Sequence, residues 1–188
     1  MGGGSRRMGT DKASLFFGRE RMVERVVARL KKAFPRMILV GGDAEKYSYL
    51  GLPVVRDVYP GRGPLAGIHA ALVHVSTPYV FVAACDMPFA DAGLALFLVR
   101  QAPGHDVVVV RDGSYLEPLF AVYGKGCLQA VEHTLKVNMR PRVVDFFPLV
   151  KVKYIERREL AGMADVGKAF FNVNTPQDLE RALREEEC

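Results

Sequence analysis

The chain has 188 residues, a length typical of one domain, and a chain of this length can bury a core without disulfides or metals. Hydrophobic residues make up 49% and charged residues 25%, and no apolar run is long enough to span a bilayer. The formal net charge of +5 indicates either basic side chains spread over the surface or a site for an anionic partner. Because the sequence has no long basic block, zinc-finger pattern or RNP motif, we expect a polyphosphate substrate and no nucleic acid or membrane.

Neither the thiols nor the imidazoles show metal-ligand spacing. Cys85, Cys127 and Cys188 are odd in number, and we interpret them as reduced thiols of a cytoplasmic protein. The histidines are interpreted as surface or packing residues: His69, His74, His105 and His133. The basic N-terminal segment lacks the apolar stretch of a secretory signal, and no repeat or linker divides the chain. We therefore expect a single domain over residues 1–188.

Helices alternate with short apolar strands in the first half of the chain. Apolar residues at helical spacing predict a helix over residues 21–34, followed by apolar strands at 37–40 and 53–56. A Gly-Pro pair at 63–64 opens the next helix, since proline is favoured at the first helical position. Residues 79–85 are apolar without alternation, which is typical of a central parallel strand covered by helices on both faces.

The same alternation continues to the C-terminus. The remaining predicted elements are a helix at 91–101, strands at 106–110 and 116–123, a helix at 124–137, a strand at 150–155 and a last helix opening at 175–178. Thr175 and Asp178 have capping-box spacing. Strands that alternate with helices predict an α/β fold, a three-layer α/β/α sandwich around a mostly parallel sheet.

Polar or glycine-rich residues follow three of the predicted strands. They are the segment 41–43, with two glycines and an aspartate, and the carboxylates Asp57 and Asp86. Because ligands of open α/β sheets bind outside the carboxyl ends of strands, these residues predict a ligand site at that edge. Asp57 leads toward a helix whose N-terminus can hold an anion, although it is also a possible turn residue. Asp86 is either a hard-oxygen ligand for Mg²⁺ or a turn or cap aspartate.

A glycine-rich, basic segment occupies residues 2–12. Glycines let backbone N–H groups approach phosphate oxygens, and arginine and lysine add charge-assisted donors. The segment is not a Walker A loop, because Thr10 follows Gly9 where that loop requires lysine. Taken alone, such a segment could equally be a basic tail. The candidate phosphate-binding residues are Gly2, Gly3, Gly4, Ser5, Arg7 and Lys12.

Amides alternate with apolar residues near the C-terminus. Asn172 and Asn174 are two positions apart, so they lie on the same side of an extended strand. The alternative is that Asn174 and Thr175 only cap the last helix.

Together these segments resemble the molybdenum cofactor guanylyltransferases. That family opens with a Leu-Ala-Gly-Gly-x-Ser-x-Arg-Met-Gly-x-Asp-Lys loop, and residues 2–12 match it from its first glycine onward. Residues 57–68 resemble the second signature of the family, and residues 85–89 resemble its metal-binding signature. The motifs at 117–123 and 171–176 complete the set in the right order. Five motifs in order are specific, and they cover nearly the whole chain.

The resemblance implies the nucleotide-diphospho-sugar transferase fold and transfer of GMP from GTP to the terminal phosphate of the molybdenum (molybdopterin) cofactor, with release of pyrophosphate. It implies that the glycine loop and Lys12 hold the triphosphate, that Asp57 helps hold the nucleotide and that Asp86 binds Mg²⁺. Asn172 and Asn174 are implied to lie on the pterin side. Other cofactor-biosynthesis or delivery proteins are implied as further partners. The implied catalytic residues are Arg7, Lys12 and Asp86.

Two departures from the family pattern lead to expectations of their own. Only Met1 precedes Gly2, where the family has a short apolar strand, so we expect the native protein to begin upstream of Met1. Gly42 aligns near an asparagine that helps read the nucleotide in some members. We therefore expect backbone groups near Gly3 and in the segment 41–43 to contact the guanine.

Three alternatives stay open. The first is a cytidylyltransferase that performs the same chemistry with CTP. The Gly2-Gly3 pair favours the guanine version over it. The second is another nucleotidyltransferase of the same fold. The third is a non-catalytic nucleotide or cofactor carrier, against which the joint presence of Arg7, Lys12, Asp57 and Asp86 argues.

Overall fold

The computed structural model of the protein describes residues 12–163 and 165–187. The helices in this part of the chain are α1 Met22–Lys31, α2 Pro64–His74, α3 Ala92–Arg100, α4 Leu128–Val137, α5 Val166–Ala169 and α6 Pro176–Glu187. The strands are β1 Phe16–Phe17, β2 Glu20–Arg21, β3 Leu39–Val40, β4 Val54–Val55, β5 Tyr79–Ala83, β6 Val107–Asp112, β7 Tyr115–Leu116, β8 Phe120–Gly124 and β9 Val152–Glu156.

The main sheet has five strands, of which three run in one direction and two, β7 and β8, run against them. β8 pairs antiparallel with both β5 and β6, and β6 pairs parallel with β9. As a consequence β5, β6 and β9 share one direction. β7 returns on β6 as a hairpin, while β3 and β4 form a separate parallel pair.

Helices cover both faces of the main sheet. Along β6, Val108 and Val110 pack into one core, to which α1 and α3 contribute residues such as Leu30 and Leu94. Val107 and Val109 point the other way, into a core shared with α2 and α4. Because successive strand residues face opposite sides, an uninterrupted valine run requires a helix layer on each face. The molecule is therefore the three-layer α/β/α sandwich expected from the sequence.

Most predicted elements form where the sequence places them, and the exceptions have local causes. The strand predicted at 116–123 is two strands, β7 and β8, on either side of Pro118, which has no N–H to donate to the ladder. β1 and β2 form a hairpin that turns at Gly18, where φ is +62°. The sequence analysis did not predict this hairpin, because strands of two residues are too short to show an alternating pattern.

The predicted capping box of the last helix is confirmed. The Asp178 N–H donates to Thr175 Oγ1 at 3.1 Å, and the Thr175 N–H donates to Asp178 Oδ2 at 2.8 Å. No helix in the described ranges is both long and apolar enough to cross a membrane.

Candidate active site

A cavity of about 1150 Å³ lies along β3, β4 and β5. At the carboxyl ends of these strands its lining includes Asp57, which follows β4, Gly63 and Pro64 at the start of α2, and Asp86, which follows β5. The structure thus brings both predicted carboxylates and a helix N-terminus to one cavity, as the position of the strand ends requires.

Asp86 is held in place by the segment that carries the two predicted asparagines. Two residues before Asp86, the Ala84 N–H donates a hydrogen bond to the Leu119 carbonyl at 2.8 Å. The Val173 N–H donates to the Asp86 carbonyl, also at 2.8 Å. Asn172 and Asn174 flank Val173, so the segment that carries both amides runs past Asp86, although it is far from Asp86 in sequence.

The two asparagines differ in their surroundings. Asn172 is half-buried and its Nδ2 donates to the Phe170 carbonyl at 3.0 Å. Asn174 is exposed, and its backbone N–H donates to Asp178 Oδ2 at 3.0 Å. The side chain that caps α6 is therefore Thr175, whose hydroxyl accepts the Asp178 N–H.

Asp57 carries a buried oxygen without a hydrogen-bond partner. Its side chain is half-buried, and among the described residues nothing donates to Oδ1. Buried acceptors are nearly always paired, so an unpaired one in the lining of a cavity fits a site completed by a ligand donor. The nearby start of α2 can hold an anion, since the first N–H groups of a helix have no intrahelical partner.

The glycine pair after β3 forms a tight turn at the same edge. Gly41 and Gly42 have φ values of +70° and +90°, which favour glycine, and the Gly41 N–H bonds the Val55 carbonyl at 2.9 Å. Gly42 is exposed, two residues beyond Val40, which lines the cavity.

Much of the predicted phosphate loop lies outside the described residues. Those residues are Gly2, Gly3, Gly4, Ser5 and Arg7. Lys12 begins a short 3₁₀ turn, Lys12–Ser14, that packs on α1. The next residue, Ala13, is fully buried in a cluster with Val23 and Leu39, and Cys85 packs against that cluster. The turn anchors the end of the loop near the strand ends that form the site.

The site also includes Glu117, which was quoted only as part of a motif. Burial raises the pKa of its carboxyl to about 7, and the negative charge of Asp86 adds to that shift. The hydrogen bond with Tyr115 and the positive charge of Arg157 act in the opposite direction. An acidic residue directly before a proline, at the start of an otherwise apolar strand, was the signal in the sequence.

The donor set fits a metal that arrives with a nucleotide. Within residues 12–163 and 165–187, no group of three or more His, Cys, Asp and Glu side chains could hold a metal ion. Mg²⁺ commonly uses one or two carboxylates together with substrate phosphates and water. Asp86 and the unpaired oxygen of Asp57 suit that mode, in which the nucleotide supplies the remaining ligands.

His69 is a packing residue of the layer formed by α2 and α4. His69 is only 3% exposed, its Nε2 lies 3.2 Å from Glu132 Oε1, and its ring meets Tyr59 edge-on. It lies away from Asp86, on the α2–α4 side of the sheet.

The three-layer fold, with carboxylates and a helix N-terminus at the carboxyl edge of its strands, is the arrangement of an α/β protein that binds its ligand at the strand ends, and the match to a family model makes it a nucleotidyltransferase. Residues 1–145 match the MobA-like NTP transferase domain, and the chain belongs to this family.

Relatives agree over nearly the full length of the chain. The chain is 50% identical over 181 residues to a protein of Pelotomaculum thermopropionicum called "Probable molybdenum cofactor guanylyltransferase", covering 96% of this chain and 88% of that protein. A protein of Desulfosudis oleivorans called "Molybdenum cofactor guanylyltransferase" is 31% identical, with 96% and 90% covered.

Solved structures give the same fold. Molybdopterin-guanine dinucleotide biosynthesis protein A from Archaeoglobus fulgidus superposes with a TM-score of 0.86 at 28% identity, covering 99% of this chain and 95% of that chain. 2-C-methyl-D-erythritol 4-phosphate cytidylyltransferase from Thermus thermophilus has a TM-score of 0.68 at 18% identity, with 94% of each chain covered. This second structure shares the nucleotide-diphospho-sugar transferase fold and supports no statement about substrate.

Proposed function

We propose that the protein transfers GMP from GTP to the terminal phosphate of the molybdenum (molybdopterin) cofactor and releases pyrophosphate. The observation that carries the proposal is the hydrogen bond from Val173 to Asp86, which joins the predicted pterin-side amides to the predicted nucleotide-side carboxylate. The relatives with guanylyltransferase names support the choice of reaction.

The reaction needs no protein nucleophile. An oxygen of the cofactor's terminal phosphate attacks the α-phosphorus of GTP in line, the new P–O bond forms, and the bond to the β-phosphate oxygen breaks. Residues 2–12 would hold the triphosphate, with Arg7 and Lys12 as donors, and Asp57 would help hold the nucleotide. Catalysis then consists of holding the two phosphates in line and neutralising the charge that grows on pyrophosphate.

Mg²⁺ is the metal that this donor set suits best, with Asp86 as its protein ligand. When bound, it would neutralise charge on the phosphate oxygens. Asn172 and Asn174 would contact the pterin side, and Gly42 would bring backbone groups toward the guanine. We further propose that residues 1–188 act as one domain, in the cytoplasm, where a thiol such as that of Cys127 stays reduced.

The base preference is tested by thermal shift with the Mg²⁺ complexes of GTP, CTP, ATP and UTP. We expect GTP to give the largest rise in melting temperature, because a site that pairs the guanine edge leaves buried groups unpaired with other bases. Stabilisation by CTP equal to or larger than that by GTP would reject the guanine assignment in favour of the cytidylyltransferase. If none of the four nucleotides stabilises the protein, the proposal that this site binds a nucleotide is wrong.

The role of Asp86 is tested with an isosteric pair of variants. Asp86→Asn keeps the side-chain shape and removes the charge, so we expect it to lose most pyrophosphate release from GTP, Mg²⁺ and cofactor while it stays folded. Asp106→Asn is the control, because Asp106 precedes β6 at the opposite edge and bonds the Lys151 N–H at 2.9 Å. Turnover of Asp86→Asn equal to that of the control would contradict the metal assignment.

A further inference from the structure

The segment that carries Asp86, residues 85–91, connects β5 to α3 through turns. These residues all belong to the described part of the chain, and none of them is in a helix or a strand. Met87, Phe89 and Ala90 are nonetheless buried. Buried peptide groups need hydrogen-bond partners, so the bonds made by this segment show what fixes its position.

Five consecutive carbonyls of the segment, those of residues 86–90, each accept a hydrogen bond. The Asp86 carbonyl accepts the Val173 N–H at 2.8 Å, and the Met87 carbonyl accepts the Ala90 N–H at 3.1 Å. The three carbonyls that remain accept from arginine side chains of α1. The first helix of the chain therefore helps to set the path of the backbone directly after Asp86.

Two arginines of α1, Arg25 and Arg29, make these bonds, and we call the pair the clamp. They are four positions apart, so their side chains lie on one face of the helix. Arg25 Nε donates to the Pro88 carbonyl at 3.0 Å. Arg29 Nε donates to the Ala90 carbonyl at 2.8 Å, and its Nη2 donates to the Phe89 carbonyl at 3.4 Å. A planar guanidinium can bond two neighbouring carbonyls in this way, whereas the ammonium of lysine is a compact point charge.

Arg25 is itself held by three other side chains. Its side chain is only 12% exposed, and its guanidinium pairs with Glu20 at 2.8 Å and with Glu186 of α6. The same guanidinium lies 4.4 Å from the centre of the Phe17 ring in β1. A charge this deeply buried is costly unless it is paired, and these partners both pair it and fix its direction. Arg25 thus joins the segment after Asp86 to the β1–β2 hairpin and to α6.

The clamp and Val173 together restrict the backbone that carries the Asp86 carboxylate. Val173 bonds the carbonyl of Asp86 itself, and the clamp bonds the carbonyls two to four residues later. With the segment fixed at both places, Asp86 is kept in the lining of the cavity. Groups that orient a metal ligand affect the metal strongly, since their loss commonly lowers metal affinity about tenfold to a hundredfold.

We propose that Arg25 and Arg29 are positioning residues for the reaction, which hold the segment after Asp86 so that its carboxylate meets the metal of the bound nucleotide. The inference rests on the proposed function, in which Asp86 is the protein ligand of Mg²⁺. Neither arginine needs to touch a substrate for this role, because both act through the backbone carbonyls that they bond.

The test uses conservative variants of the full chain. Arg29→Lys and Arg25→Lys keep the positive charge and most of the aliphatic stem but lose the planar donors that bond the carbonyls. Arg29→Lys is the principal variant, because both bonds of Arg29 described above go to this segment. Val131→Ala is the control: Val131 is fully buried in the core shared by α2 and α4, on the other face of the sheet, so its truncation lowers stability without a contact to residues 85–91.

Amide hydrogen exchange of the ligand-free proteins reports whether the clamp holds the segment. The amides measured are those of Val173 and Ala90, and the reference is Val122 in the middle of β8, which is paired on both sides. We expect each lysine variant to speed exchange of Val173 and Ala90 at least about tenfold relative to Val122, because the segment opens locally. Val131→Ala should leave this ratio unchanged.

The dependence of nucleotide binding on Mg²⁺ separates positioning of the metal ligand from a purely structural role. The melting temperature is measured at fixed GTP over a range of Mg²⁺ concentrations. We expect the Mg²⁺ concentration that gives half of the GTP-induced rise to increase about tenfold in the lysine variants and to stay at the parent value in Val131→Ala. A lower melting temperature without this change would be a structural effect alone.

The outcomes distinguish the clamp from the function on which it rests. If GTP and Mg²⁺ do not raise the melting temperature of the parent, the proposed function fails and the positioning role fails with it. If the parent responds but the lysine variants match Val131→Ala in either the exchange ratio or the Mg²⁺ requirement, only the positioning role is overturned. Faster exchange of Val173 and Ala90 together with a higher Mg²⁺ requirement supports it.

Discussion

Replacing Asp57 by alanine should stabilise the ligand-free protein and abolish its response to nucleotide. The buried Oδ1 has no donor among the described residues, and leaving such a group unpaired costs about 1–3 kcal/mol. Removing the carboxylate removes that cost, so the free energy of unfolding should rise by a similar amount. For a chain of this length, each kcal/mol corresponds to a shift in melting temperature of about 2–4 °C. The assay is thermal and urea unfolding of parent and variant, with and without Mg²⁺ and GTP.

The control is a second aspartate-to-alanine change whose effect on stability has the opposite sign. Asp91 caps α3, and its Oδ1 accepts the Leu94 N–H at 2.8 Å. Loss of such a cap costs about 1 kcal/mol, so Asp91→Ala should melt lower than the parent and keep its nucleotide shift. If Asp57→Ala is destabilised as much as Asp91→Ala, or if it keeps the full nucleotide shift, the assignment of Asp57 as a ligand-completed acceptor is wrong.

Two further predictions concern binding and pH. Lys12→Ala should weaken GTP binding by about 1.5–3 kcal/mol, roughly tenfold to a hundredfold in Kd, because one charge-assisted contact is lost; unchanged affinity by calorimetry would remove Lys12 from the triphosphate site. Glu117→Gln should change how stability depends on pH. The Glu117 pKa is raised from 4.5 to about 7, so the folded parent holds this proton more tightly and loses stability as pH rises through that window. The Glu117→Gln variant lacks this loss, so the difference in melting temperature between variant and parent should rise between pH 4.5 and 7 and stay constant above pH 7. If melting temperature depends on pH in the same way for both proteins, the pKa of Glu117 is not raised.

The parts of the fold that the sequence predicts well are those that depend on residues close together in the chain. The face of α1 and the Gly-Pro start of α2 were predictable because each rests on local spacing or backbone chemistry. The antiparallel insertion of β8 between β5 and β6 was not, since an apolar strand buried on both faces has the same composition in either direction. Strand order depends on long-range pairing, which leaves no periodic signal.

The site was predictable to the extent that it depends on strand ends. Asp57 and Asp86 follow short apolar runs, and the structure brings both to the lining of one cavity. The bond from Val173 to Asp86 could not be inferred from spacing, because it joins backbone atoms of segments far apart in sequence. Glu117 was missed as a site residue for a related reason: the sequence shows a carboxylate before a proline, but the raised pKa of this carboxylate comes chiefly from its burial in the folded chain.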